Sequence, residues 1–94
     1  MMKNKTAAMK KVMFNLKAEP GAAVFVAGTF NNWDAAREQL LDLKGDGNYS
    51  CTMTLAPGDY EYKFKVDHSW LIDQNNPHFT QNNFGTLNSI LEVR

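Results

Sequence analysis

The segment Tyr60–Asp67, YEYKFKVD, alternates apolar and polar residues without a break. Successive side chains of a β-strand point to opposite faces. Tyr60, Tyr62, Phe64 and Val66 therefore share one face, and Glu61, Lys63, Lys65 and Asp67 the other. A helix would scatter both sets around its axis, so this is a half-buried strand. Ala56-Pro57-Gly58-Asp59 before it and Asp67-His68-Ser69 after it read as turns. A chain built around such a strand needs partners of the same period to cover its aromatic row.

The partners are present. KVMFNLKA (11–18) puts Val12, Phe14, Leu16 and Ala18 on one side. YSCTMTL (49–55) does the same with Tyr49, Cys51, Met53 and Leu55. AVFVAGTF (23–30), QLLDLK (39–44), SWLID (69–73) and TLNSILEV (86–93) complete about seven strand candidates. Glu19-Pro20-Gly21 reads as a turn and Gly45-Asp46-Gly47-Asn48 as a hairpin. Only Asp34–Gln39, DAAREQ, hints at a helical turn, and QNNPHFTQNNFG (74–85) reads as a polar loop of functional length. Phe14 and Phe25 are expected to face the Tyr60–Tyr62–Phe64 row. Seven short strands in 94 residues predict an all-β fold, an antiparallel β-sandwich of immunoglobulin-like type. Residues 11–94 form the expected domain, and the lysine-rich residues 1–10 a flexible leader.

Ten basic residues balance ten acidic ones. A neutral chain lacks the positive footprint of a nucleic-acid binder, so no such partner is expected. No apolar run approaches membrane-spanning length, and no membrane partner is expected. The single cysteine, Cys51, excludes an intrachain disulfide and favours a reducing, cytoplasmic setting. Cys51 falls in an inward row and reads as a small core residue.

The two tryptophans are the unusual feature. Trp33 follows Asn31-Asn32, and Trp70 follows Asp67-His68-Ser69. Connections rich in Asn and Asp belong at the surface. Two exposed indoles in one patch mark a binding surface. A pyranose suits them, since its C–H face stacks on an indole while its hydroxyls meet polar side chains. Asn31, Asn32, Lys63, Thr86 and Asn88 have suitable donors and acceptors. Strand parity sends Lys63 to the outer face. Leu87, Leu91 and Val93 fit the core phase of the last strand, leaving Thr86 and Asn88 outside, with Ile90 in the same outer phase.

The segments VFVAGTFNNWD, PGDYEYKFKVDHSW and NNPHFTQNNFGTLNSILEV together resemble family 48 of the carbohydrate-binding modules, as in the glycogen-binding domain of the AMP-activated protein kinase β subunit. The similarity runs from about Val12 to Val93. It implies an early-set immunoglobulin-like sandwich that binds α-1,4-glucans without catalysis or cofactor. It implies that Trp33 and Trp70 stack on glucose rings, that Lys63 bonds sugar hydroxyls, and that Thr86 and Asn88 form a hydrogen-bonding pair. Phe84 stands where the kinase domain has a leucine that threads a cyclic or helical glucan. Phenylalanine is larger and flatter, so stacking is expected instead. His68 replaces a glycine that often supplies positive φ, so an altered turn is expected before Trp70.

Two other classes compete. Asp59, Glu61, Asp67 and Asp73 would have to pair across a cleft to hydrolyse glycosides. Nothing in their spacing places two of them so, and no catalytic residue is assigned. Asp67, His68, Asp73 and His78 show no recognised metal-ligand spacing, and GDGN lacks the further oxygen ligands of a calcium loop. The alternative to glucan binding is a protein-interaction module that regulates a kinase or a glycogen-metabolising enzyme through its sheet edges.

Overall fold

A computed structural model describes residues 8–94. Most of the expected leader, residues 1–7, lies outside the described residues, and the first strand already includes Lys10. Among the described residues eight strands follow in chain order: β1 (Lys10–Lys17), β2 (Val24–Gly28), β3 (Glu38–Leu40), β4 (Asn48–Leu55), β5 (Gly58–Val66), β6 (Ser69–Leu71), β7 (Phe79–Gln81) and β8 (Leu87–Val93). They form two antiparallel sheets. One pairs β1 with β4; the other runs β3-β2-β5-β8-β7, with β6 on β5. The fold is the all-β sandwich expected, with β7 as an additional strand inside the expected 74–85 loop.

The core lies between the sheets. Phe14 from the small sheet packs on Tyr62 and Phe64 at centroid distances of 5.2 and 6.4 Å. Val24, Val26, Leu40 and Tyr49 close round them. Burying a side chain such as Phe64 contributes about 1.5–3 kcal/mol. The inward row of β5 holds as expected, with Tyr62 and Phe64 fully enclosed. Cys51 is half-buried, and desolvation, aided by the Glu38 charge, pushes its thiol up to about 11.

Four local expectations are corrected. Phe25 does not face the aromatic row. Val24 and Val26 hold the buried positions, and Phe25 pairs with Lys65 in the opposite phase. Phe30 takes its place, 5.6 Å from Phe14 and 6.1 Å from Tyr60. The helical turn expected at Asp34–Gln39 is cut to a single hydrogen-bonded turn, in which the Arg37 N–H donates to Asp34 O at 3.4 Å and Asp34 Oδ1 accepts the Ala36 N–H, before Glu38 enters β3. A short 3-10 turn occupies Thr29–Asn31. Gly45–Asn48 is not a tight hairpin: Leu41 and Ser50 bridge, and the Asp42 carboxylate accepts the N–H groups of Gly45, Asp46 and Gly47. Leu87, expected in the core phase, is exposed: the pairing of β8 with β5 ends at Ser89, and Leu87 is paired only with Gln81 of β7.

Candidate functional site

The outer face of the larger sheet carries the candidate residues. Lys63 and Lys65 lie on β5 between β2 on one edge and β6 and β8 on the other. Parity placed them there, and the structure agrees. Around Lys63 the chain builds an open cleft of about 730 Å³. Trp33, Trp70, Lys63, Phe84, Thr86 and Asn88 line it, so six of the seven expected site residues converge. Asn32 is not among the lining residues.

Trp33 is presented by an unusual backbone. Asn32 and Trp33 both have positive φ, 56° and 60°. Left-handed backbone is uncommon outside glycine and costs about 1–2 kcal/mol per residue. The turn is held by Asn31. Its Oδ1 accepts the Gly28 N–H at 3.0 Å, and its Nδ2 donates to Val26 O at 3.1 Å. The Trp33 N–H bonds Gly28 O at 2.9 Å. Asn31 is therefore a buried pin, not a ligand donor, while Asn32 supplies the left-handed corner. The indole is left 36% exposed.

Gly28 makes this placement possible. A Cβ there would lie 2.4 Å from Glu61 O and 2.9 Å from Tyr62 Cβ. The missing side chain lets the Thr29–Asn31 turn lie flat on β5, where Thr29 Oγ1 accepts the Glu61 N–H at 3.2 Å.

Trp70 sits within β6, inside the SWLID strand candidate and just after the turn that precedes it. It pairs with Lys65, whose Nζ lies 5.6 Å from the indole centroid. A cation at that distance is attracted to the ring face, by about 0.5–1 kcal/mol at an exposed site. The preceding turn also corrects an expectation. Positive φ falls on Asp67 (52°), not on His68, so no glycine is required at 68. Asp67 fastens that turn to β2: its N–H donates to Ala23 O and its Oδ1 accepts the Ala23 N–H.

The third wall is the β7–β8 connection. Phe84 stands at its tip, 91% exposed, and Gly85 takes φ of 80° behind it. Lys63 Nζ donates to Thr86 Oγ1 at 3.0 Å. Asn88 has the outward phase but is only 5% exposed. Its amide is held from both sides, donating to Glu61 Oε1 at 2.9 Å and accepting from Asn82 Nδ2 at 3.1 Å. Beneath the connection, the Tyr62 hydroxyl donates to Asp73 Oδ2, and Asn76 bonds both that hydroxyl and Ile90 O. Burial, more than the Asp73 carboxylate, raises the Tyr62 phenol well above its ordinary range. This half-buried cluster ties the segment between β6 and β7 to β5 and β8.

Thr29, Glu61, Gln81, Asn82 and Asn83 also line the cleft and were missed. Asn82 had a readable signal: an asparagine two residues before Phe84-Gly85 favours a side-chain-capped turn. Of the four carboxylates weighed for hydrolysis, only Glu61 lines the cleft. Asp59 pairs with Arg94, Asp67 caps a turn and Asp73 serves Tyr62.

Residues 11–94 match the family model described as the glycogen recognition site of AMP-activated protein kinase. The chain belongs to this glycogen-recognition family. It is 32% identical over 77 residues to the 5'-AMP-activated protein kinase subunit beta-2 of Mus musculus, covering 82% of this chain and 27% of that one. The beta-1 subunit of Homo sapiens is 34% identical over 74 residues, covering 79% and 26%. The beta-1 sequence of Sus scrofa is 34% identical over 74 residues, covering 79% and 57%. The chain thus spans about a quarter of the length of these mouse and human kinase beta subunits. The resemblance seen in the three sequence segments is thereby established at the level of the family.

Proposed function

We propose that the protein is a non-catalytic module that binds α-1,4-linked glucans of the glycogen or starch type. The observation that carries this is one cleft flanked by two half-exposed indoles and floored by the Lys63–Thr86 and Asn82–Asn88 hydrogen bonds. Flat apolar walls and a polar floor complement a sugar with C–H faces and a hydroxyl rim. Trp33 and Trp70 stack on glucose rings, and Phe84 adds a third aromatic face from its exposed tip. Lys63, Thr86 and Asn88 meet the hydroxyls. Asn32 acts through the backbone, by turning Trp33 outward.

Binding at such an open site is weak, with Kd between about 1 mM and 1 μM, or roughly −4 to −8 kcal/mol. Retention on a polysaccharide particle then requires several copies or a tethered partner. A kinase or a glycogen-metabolising enzyme fits that partner role, which makes the module a targeting or regulatory device.

Amide and indole N–H spectra recorded during a maltoheptaose titration test the proposal. The Trp33 and Trp70 indole signals and the backbone signals of Phe84 and Thr86 move along one shared isotherm. Movement confined to β1 and β4, on the opposite sheet, contradicts the assignment.

A further inference from the structure

The polar floor of the cleft has a direction, and it can be read from two backbone groups. The Phe84 and Thr86 N–H groups both point at one oxygen of Asn82, at 2.9 and 3.1 Å. An N–H donates, so that oxygen is Oδ1, and the amide orientation of Asn82 is fixed. Its Nδ2 therefore faces away from the turn. It donates to Thr86 Oγ1 at 2.7 Å and to Asn88 Oδ1 at 3.1 Å. All of its hydrogen-bonding groups are used inside the protein.

The consequences propagate. Asn88 accepts through Oδ1, so its Nδ2 must be the atom that meets Glu61 Oε1 at 2.9 Å. Glu61, an acceptor when ionised, terminates the row. Thr86 Oγ1 receives two donors, Asn82 Nδ2 and Lys63 Nζ at 3.0 Å. A hydroxyl has two lone pairs and one hydrogen. With both lone pairs occupied, the Thr86 hydrogen has no acceptor within this cluster and is available to the cleft. The same count leaves Lys63 with two N–H groups and Asn88 with one.

We propose that Asn82 and Glu61 are positioning residues that orient Thr86 and Asn88 so that the cleft floor offers hydrogen-bond donors. The inference deepens the glucan-binding proposal and rests on it. It specifies that the ligand's hydroxyl oxygens act as acceptors over Thr86, Lys63 and Asn88. Asn82 also sets the turn that carries Phe84, since its oxygen holds both N–H groups of that turn while its own N–H bonds Thr86 O at 2.8 Å. The aromatic wall and the polar floor are thereby placed by one side chain before any ligand arrives.

Asn82→Asp separates the two tasks. The carboxylate keeps the acceptor for Phe84 and Thr86 N–H but replaces both N–H donors by an acceptor. The Thr86 hydrogen then turns inward to meet it, and the Asn88 oxygen loses its donor, because Glu61 on the other side of that amide is also an acceptor. Maltoheptaose titrations followed by tryptophan fluorescence are run on the wild type, Asn82→Asp, Thr86→Val and the double variant. The expected result is a loss of about tenfold in affinity for Asn82→Asp, of the size of one lost hydrogen bond, with a melting temperature lowered by several degrees because the buried Asn88 oxygen loses its donor. In the Thr86→Val background there is no hydroxyl to reverse, so the further loss is smaller. A second pair is independent of the turn: Glu61→Leu loses affinity several-fold, and Glu61→Gln, which retains an acceptor, restores it. Wild-type binding with unaltered affinity in both Asn82→Asp and Glu61→Leu overturns the positioning role. So do Asn82→Asp and Thr86→Val losses that simply multiply. No binding by the wild type overturns the glucan-binding proposal, and the donor floor with it.

Discussion

Trp33→Ala and Trp70→Ala each weaken maltoheptaose binding by about thirtyfold, the effect of removing a central aromatic anchor worth about 2 kcal/mol. The two substitutions act by the same physics from different supports. Trp33 stands on a left-handed corner pinned by Asn31, and Trp70 on a short strand beside Lys65. Both indoles are at least a third exposed, so neither carries the core. Their removal leaves the melting temperature within a few degrees of the wild type. Isothermal titration of each variant, with thermal unfolding alongside, measures both quantities. Wild-type affinity in either variant removes that indole from the site; a collapse in stability would return it to the core.

Gly28→Ala has the opposite signature. Its backbone is extended, with φ of −170°, so conformation is no obstacle to alanine. Space is. The new methyl would stand 2.4 Å from Glu61 O, 2.8 Å from Phe30 Cε2 and 2.9 Å from Tyr62 Cβ. The first is backbone in the central strand, and the last is fixed to it. Relief requires the Thr29–Asn31 turn to lift from β5, breaking the Thr29–Glu61 bond and loosening Phe30 against Phe14. Overpacking of this kind costs about 3 kcal/mol. In a domain of this size that lowers the melting temperature by roughly 12–24 °C. Thermal denaturation followed by circular dichroism checks it; a shift below about 4 °C, equivalent to less than 1 kcal/mol, contradicts the packing described. Because the turn carries Trp33, glucan affinity falls as well, even where the variant remains folded.

Much of this was legible in the sequence, for reasons that differ by residue. β5 was readable because apolar and polar residues alternate strictly, which fixes parity and hence the outward course of Lys63. Thr86 and Asn88 followed from the same period in β8. β2 was harder: in Val24-Phe25-Val26-Ala27 every residue is apolar, so hydrophobicity cannot choose a phase. Pairing with β5 chose it, sending Phe25 outward and leaving Phe30 to fill the core. β7 is three residues long between asparagines, too short for a period to register. Asn31 and Asn32 are chemically identical neighbours. Only the fold separates the buried pin from the left-handed corner. Asn88 exposes the limit of parity, which gives the face of a side chain but not what covers it. Asn82 and Glu61 cover it, and they lie 6 and 27 residues away.

Whether this surface binds an α-1,4-glucan is decided by paired titrations with maltopentaose and cellopentaose. The two ligands share composition and length and differ in the geometry of the linkage. Maltopentaose is expected to quench or enhance tryptophan fluorescence saturably, with Kd at or below about 1 mM, and cellopentaose to bind at least tenfold more weakly. Equal responses to the two sugars, or none to maltopentaose at about ten times that concentration, would contradict α-1,4-glucan binding.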